Sequence, residues 1–372
     1  MPTTFLSASA RRSGATGLFT DQEYARQRAF FTTRAASTPL VRLPGLAARL
    51  GLGALWVKDE TCRFGLPAFK SLGVEFAVHE LAARGALGGV DTLVCASAGN
   101  HGRAVARAAW HAGLRARVFL DGDVAAARVD AIRSEGAEVV RVDGTYDDAV
   151  RLATDDATRT GALVVSDTSW PGYEQIPREI MLGYTRVMDE AAAAWEGHGP
   201  PDLLIVQAGV GGLLAAVASW SARHLGEARP GLVAVEPVRA ACVQASARAG
   251  APAPVAGPLT TIMAGLRCGE VSPLAFDVLR TLVDGYIGVE DQWCRAAMHR
   301  FAHPEPGDPS VAVGTSGAAG LAALLAAAES PEAQALFDAC APAPGRRVLV
   351  IATEGVTEPD LWGEVTGLAA RS

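Results

Sequence analysis

An α/β fold with mainly parallel sheets covered by helices is predicted by three observations. Short runs that are apolar throughout and rich in β-branched residues recur along the chain, as strands buried on both faces require. Stretches of helical spacing separate them, several closed by a glycine. Two strand-to-helix turns, 97–102 and 209–212, are dense in glycine, and ligands collect at such turns in α/β sheets.

Taken in order, 55–57 reads as a strand, and 71–83 has helical spacing that stops at Gly85. The run 92–96 is a buried strand that feeds the turn 97–102 and a helix over 103–111, closed by Gly113. A strand at 117–120, a helix at 124–134 ended by Gly136 and a strand at 138–142 repeat the pattern. The apolar runs 163–165, 203–206, 232–235 and 348–351 continue it, and 322–328 reads as an ordinary helix. The unit 88–166 looks self-contained, so a smaller α/β domain is expected there, inserted into a larger one made of 20–87 and 167–372. Gly- and Pro-rich excursions are expected at 196–202, 249–258 and 303–309. Roughly the first 20 residues read as a flexible arm.

The 372 residues suffice for two ordinary domains, and 49% hydrophobic with 20% charged residues is a globular composition. A formal charge of −7 argues against a nucleic-acid partner. No apolar run approaches the ~18 residues that cross a bilayer, and no apolar segment follows Arg11 and Arg12, so a soluble, cytoplasmic protein is expected. Six cysteines without close pairs or metal-ligand spacing read as mostly buried thiols, and no metal is expected. There is no HExxH and no G-x-S-x-G, which removes the commonest signals of zinc and serine hydrolases.

Only two lysines, Lys58 and Lys70, occur among the 33 basic residues counted as lysine and arginine. An arginine stays charged, whereas a desolvated lysine can become neutral and nucleophilic. Lys70 follows Gly65-Leu66-Pro67 and lies between Phe69 and an apolar-periodic run, at or near a helix N-terminus. It reads either as a Schiff-base lysine or as a partly buried lysine snorkelling from a helix end.

Gly209, Val210, Gly211 and Gly212 connect a strand to a helix and leave backbone N–H groups free to close on an anion, most naturally a phosphate monoester. The alternative is a tight turn needing glycine for packing alone. The turn Ser97-Ala98-Gly99-Asn100-His101-Gly102 suits a carboxylate or a ring oxygen, or Asn100 and His101 simply cap the helix. Further small-polar turns lie at 314–317 and 352–355.

A lysine early, S-x-G-N-H-G next and a glycine loop later resemble the fold-type II (tryptophan-synthase-β-like) pyridoxal-phosphate enzymes over nearly the whole chain. Within that group the chain is most similar to the diaminopropionate ammonia-lyase family. The matching segments include Arg63-Phe64-Gly65-Leu66 with Ala68-Phe69-Lys70, Asp167-Thr168 with Trp170-Pro171-Gly172-Tyr173, Ile262-Met263-Ala264-Gly265-Leu266 with Cys268-Gly269-Glu270, and Thr353-Glu354-Gly355.

This resemblance implies pyridoxal 5′-phosphate linked to Lys70, its phosphate on Gly209 to Gly212, its ring oxygen near Asn100 and its pyridine nitrogen facing Thr353. It implies an amino-acid substrate whose carboxylate lies at Ser97, Ala98, Gly99 and His101. Asp167 would be an active-site acid, or otherwise a strand-end Asx turn. The implied reaction is β-elimination from a small β-substituted L-amino acid to pyruvate and ammonia. The alternatives are β-replacement, a serine/threonine-type dehydratase and a non-catalytic binding paralogue. The resemblance also implies a homodimer. The family carries an acid where this chain has Ala98, so turnover of D-isomers is expected to be poor.

Overall fold

The computed structural model describes residues 2–7, 16–34, 36–97, 99–121, 124, 126–144, 146–195 and 197–370. Among them the strands, in chain order, are β1 (Thr3–Leu6), β2 (Leu40–Arg42), β3 (Ala54–Asp59), β4 (Thr92–Ala96), β5 (Arg115–Asp121) and β6 (Glu138–Val142). They continue with β7 (Leu163–Val164), β8 (Leu203–Gln207), β9 (Gly231–Pro237), β10 (Gly285–Val289) and β11 (Arg347–Ala352). Two compact units divide them: residues 1–62 with 185–372, and residues 63–184.

The larger unit holds a seven-stranded sheet in the order β1-β10-β9-β8-β11-β3-β2. Its five inner strands run parallel, and β1 and β2 pair antiparallel at the edges. Every residue of β8, β9 and β10 is buried, which is why the first two of these read as continuous apolar runs.

The strand β10 escaped the sequence reading because it contains Gly285 and Gly288. Both are required by close approach. A Cβ at 285 would lie 2.9 Å from Cys340 Sγ, and one at 288 would lie 2.4 Å from Thr3 Oγ1. The expectation of a flexible N-terminal arm is corrected for residues 3–6, which pair with β10 as β1. Residues 8–15 lie outside the described residues.

The smaller unit is a four-stranded, all-parallel sheet in the order β6-β5-β4-β7. It runs from 63 to 184, wider at both ends than the 88–166 read from sequence. The helices Lys70–Ala83 and Gln175–Tyr184 pack together through facing glycines. A Cβ at Gly73 would lie 2.5 Å from Tyr184 Cε1, and one at Gly183 would lie 2.6 Å from the Leu72 carbonyl. The first of these helices also packs on Asn100–His111. These contacts join the sequence flanking the small sheet to the small unit. Among the described residues no helix is long and apolar enough to cross a membrane.

Candidate active site

In the smaller unit the chain reaches Lys70 through a tight turn. Arg63 and Leu66 exchange backbone hydrogen bonds of 2.8 and 2.9 Å, and the residues between them, Phe64 and Gly65, have φ of 53° and 74°. Paired positive φ values are those of a type I′ hairpin turn, which glycine adopts freely and phenylalanine does not. Arg107 holds the strained residue, donating from Nη1 to the Phe64 carbonyl at 2.9 Å. The helix Lys70–Ala83 follows, its first turn uncapped by any side chain.

Lys70 Nζ donates to Asp167 Oδ2 at 2.5 Å, and the two side chains are 21% and 20% exposed. The amine also lies 5.3 Å from the ring centroid of Phe69 and 5.8 Å from that of Tyr184. The apolar walls read from sequence are therefore present, but a carboxylate stands between them. Burial alone would push the Asp167 carboxyl up. The Lys70 ammonium and His101 more than offset this and hold it well below the usual carboxylate range.

His101 sits in the first turn of the helix Asn100–His111, whose N-cap is Gly99 without a side-chain cap. Neither Asn100 nor His101 is that N-cap. The His101 ring instead reaches β7's continuation, with Nε2 2.9 Å from the Val165 carbonyl. A carbonyl only accepts, so Nε2 carries the proton. The other nitrogen, Nδ1, is buried without a hydrogen bond, 3.8 Å from Asp167 Oδ2.

The backbone before Asp167 is clamped by Tyr173, whose hydroxyl accepts from Ser166 N at 2.8 Å and donates to the Val164 carbonyl at 2.9 Å. Trp170 stacks on Tyr173 at 4.0 Å. At the turn after β4, Gly99 N donates to Ser97 Oγ at 3.3 Å. Ala98 lies outside the described residues. Lys70, His101 and Asp167 are thus brought together, with Ser97 and Gly99 on the turn that leads into His101.

The larger unit carries the remaining predicted residues. Gly209 and Val210 lead from β8 into Gly211, the N-cap of the helix Gly212–Leu225, with φ 95° and no side-chain cap. A Cβ at Gly209 would lie 2.9 Å from Cys268 Sγ, and one at Gly211 would lie 2.9 Å from Leu279 Cδ1. Packing thus accounts for part of the glycine requirement. The terminus of this long helix has no side-chain cap, and such a terminus could receive an anion.

Thr353, buried at the end of β11, accepts from Gln207 Nε2 at 2.8 Å. The same amide donates to the carbonyls of Ser316 and Ile351 at 3.1 and 2.9 Å. Its hydroxyl oxygen being thus engaged as acceptor, Thr353 keeps its proton to give. Gln207 belongs to the stretch Gln207-Ala208-Gly209-Val210-Gly211 that matches the family, but the sequence assigned it no role. Its signal was an amide closing a strand of otherwise apolar residues. Next to Thr353, Glu354 Oε1 accepts from Ser316 N at 2.8 Å, and Ser316 Oγ accepts from Gly265 N at 2.9 Å. These bonds tie together three segments that sequence reading had noted separately.

The family description "Pyridoxal-phosphate dependent enzyme" matches residues 32–341. The chain belongs to that family. It is 37% identical over 344 residues to the diaminopropionate ammonia-lyase of Escherichia coli K12, covering 88% of this chain and 86% of that one. A crystal structure of the E. coli enzyme in complex with an aminoacrylate-PLP azomethine reaction intermediate covers 98% of this chain and 96% of that one. Its TM-score is 0.90 at 34% identity. The same enzyme in complex with D-serine matches with a TM-score of 0.90 at 33% identity over the same shares of the two chains.

The fold class is thus that of the fold-type II pyridoxal-phosphate enzymes. The residues present fit the cofactor. An uncapped, glycine-lined helix terminus suits its phosphate, a hydroxyl with a proton to donate suits its ring nitrogen, and Lys70 is a primary amine on a partly exposed side chain.

Proposed function

We propose that the chain is a β-eliminating lyase that converts a small β-substituted L-amino acid, of the 2,3-diaminopropionate kind, to pyruvate and ammonia. The observation that carries the reading is the Lys70–Asp167 ion pair of 2.5 Å at a helix start, in a chain of this family. Pyridoxal phosphate, when bound, supplies the carbonyl that captures the substrate amine and the conjugated ring that takes up the Cα electron pair.

The chain's own residues would do the rest. Gly209, Val210, Gly211 and Gly212 hold the phosphate, and Thr353 donates to the ring nitrogen, leaving that nitrogen unprotonated. Asn100 meets the ring oxygen, while Ser97, Ala98, Gly99 and His101 receive the substrate carboxylate. The freed Lys70 amine takes the Cα proton.

Asp167 orients that amine. Read from sequence as an acid, it is held ionised here, and it becomes a proton donor only after accepting a proton from the Lys70 ammonium. The working assembly is a cytoplasmic homodimer, which sedimentation of the purified protein checks.

The test is a panel of L- and D-2,3-diaminopropionate, serine and threonine, with release of pyruvate or 2-oxobutyrate as the readout. The expected order puts L-2,3-diaminopropionate first and its D-isomer about 10²- to 10⁴-fold lower, since a methyl group at Ala98 cannot serve as a base. Fastest turnover of threonine supports a dehydratase instead. A new adduct with added thiol supports β-replacement, and no turnover at all supports a binding paralogue.

A further inference from the structure

The geometry points to a second ligand site in the larger unit, a pocket for a small aliphatic carboxylate of the 2-oxo-acid or amino-acid class. An open pocket of about 650 Å³ lies between the short turn Val238–Ala240, which follows β9, the segment 259–267 and the start of the helix Asp291–Ala302. Two arginines reach it, Arg239 from the turn and Arg267 from the segment, and both are exposed.

Arg239 has no hydrogen bond or ion pair among the described residues. Arg267 donates from Nη2 to the Thr261 carbonyl at 2.8 Å and has no carboxylate partner among them. Arginines elsewhere in the chain are matched to acids, for example Arg103 and Arg107 to Glu135, Arg229 to Asp284 and Arg347 to Asp202. Two unmatched guanidiniums sharing one pocket, in a chain of net charge −7, therefore mark a local demand for an anion.

The rest of the lining narrows the class. Planar guanidinium forks match a carboxylate through paired N–H bonds. Leu259 and Ile262 offer an apolar wall for a short aliphatic body. The Asp291 carboxylate also lines the pocket. It is held in place by Thr261 Oγ1, donating at 2.6 Å, and by Ile262 N, donating at 3.0 Å. Its remaining negative charge disfavours a dianion such as phosphate and leaves room for one carboxylate, with or without an ammonium.

The segment bearing Arg267 also bears Gly265, which is bonded to Ser316 beside Glu354 and Thr353. The pocket is thus linked by hydrogen bonds through Gly265 and Ser316 to Glu354, next to Thr353.

Calorimetric titration of the holoenzyme with pyruvate, alanine and inorganic phosphate at fixed ionic strength tests this, comparing the parent with Arg239→Gln and Arg267→Gln. Each variant should weaken binding of pyruvate, of alanine or of both by about ten- to a hundredfold, as loss of a charged hydrogen-bond partner does. Which of the two ligands responds identifies the source. Both variants should keep the parent's kcat on the amino-acid substrate when no carboxylate is added. Carboxylate binding unchanged in both variants overturns the site, and phosphate binding as tight as either carboxylate overturns its assigned class. The pocket does not rest on the lyase reading: its failure leaves turnover untouched, and absence of turnover leaves the arginine dependence of binding untouched.

Discussion

The chain's two lysines stand in opposite settings. Lys58, at the end of β3 in the larger unit, is fully buried, 2.7 Å from Glu190 Oε2 and 3.8 Å from Glu60 Oε1, and also donates to the Thr38 carbonyl at 2.7 Å. Thr38 and Arg186 complete the cluster, donating to Glu60 and Glu190 at 2.7 Å each. Lys70 in the smaller unit is partly exposed, with Asp167 beside it and aromatic rings around it. A buried ammonium held by two carboxylates and a backbone carbonyl is fixed in place by the structure around it. A partly exposed amine hydrogen-bonded to a carboxylate can be released by a proton transfer. The contrast separates a lysine that holds the fold from one that can do chemistry.

The largest effects should come from exchanging the two losses. Lys70→Ala should lower kcat by at least about 10⁴-fold while leaving the unfolding midpoint near that of the parent. Asp167→Asn should lower kcat by about 10²- to 10⁴-fold with the cofactor still reducible onto Lys70. Lys58→Met should do the reverse. Removing the one ammonium from this buried cluster, with Arg186 still on Glu190, costs about 3 to 5 kcal/mol in denaturant unfolding, with the surviving folded protein still active. A Lys58→Met protein that is stable and inactive would break the comparison.

A smaller effect sharpens it from the acidic side. Glu236, on β9, is 1% exposed and accepts from the backbone N–H groups of Val243 and Gln244 at 2.8 Å each. Burial pushes its carboxyl up to about 8, against the pull of those two hydrogen bonds. Where Lys58 is neutralised by partners, Glu236 is neutralised by a proton. Its folded pKa lies above the unfolded value of 4.5, so the unfolded chain releases its proton first as pH rises. The stability contributed by the protonated group is therefore full below pH 4.5 and lost progressively up to about 8. Thermal unfolding across that window should show a falling contribution that Glu236→Gln removes, and an unchanged slope in the variant would contradict the assignment.

What could be read from the chain alone follows from how local each signal is. The inner strands β4, β8 and β11 announce themselves as runs of apolar residues, and Lys70 stands out through the scarcity of lysine. The strand β10 did not, because its glycines answer to Thr3 and Cys340, more than 50 residues away in sequence. The extent of the smaller unit was hidden for the same reason, in the contact of Gly73 with Tyr184. At the site, the glycine loop was visible as a turn, whereas Asp167 entered only through family resemblance, and its partnership with Lys70, 97 residues away, is shown by the structure alone. Gln207 was assigned no role because its three acceptors come from segments more than a hundred residues later. The Gly211 position also proved less simple than it reads. With φ 95° and Leu279 close by, any side chain there strains the fold as well as the proposed anion cradle, so its substitution does not separate the two.

The central claim is that Lys70, and not Lys58, carries the cofactor. Borohydride reduction of the holoenzyme followed by peptide mapping tests it most directly, since the chain offers just these two lysines. The account predicts the reduced cofactor on the peptide containing Lys70 and none on the peptide containing Lys58. Label on Lys58, or on no lysine at all, would contradict it.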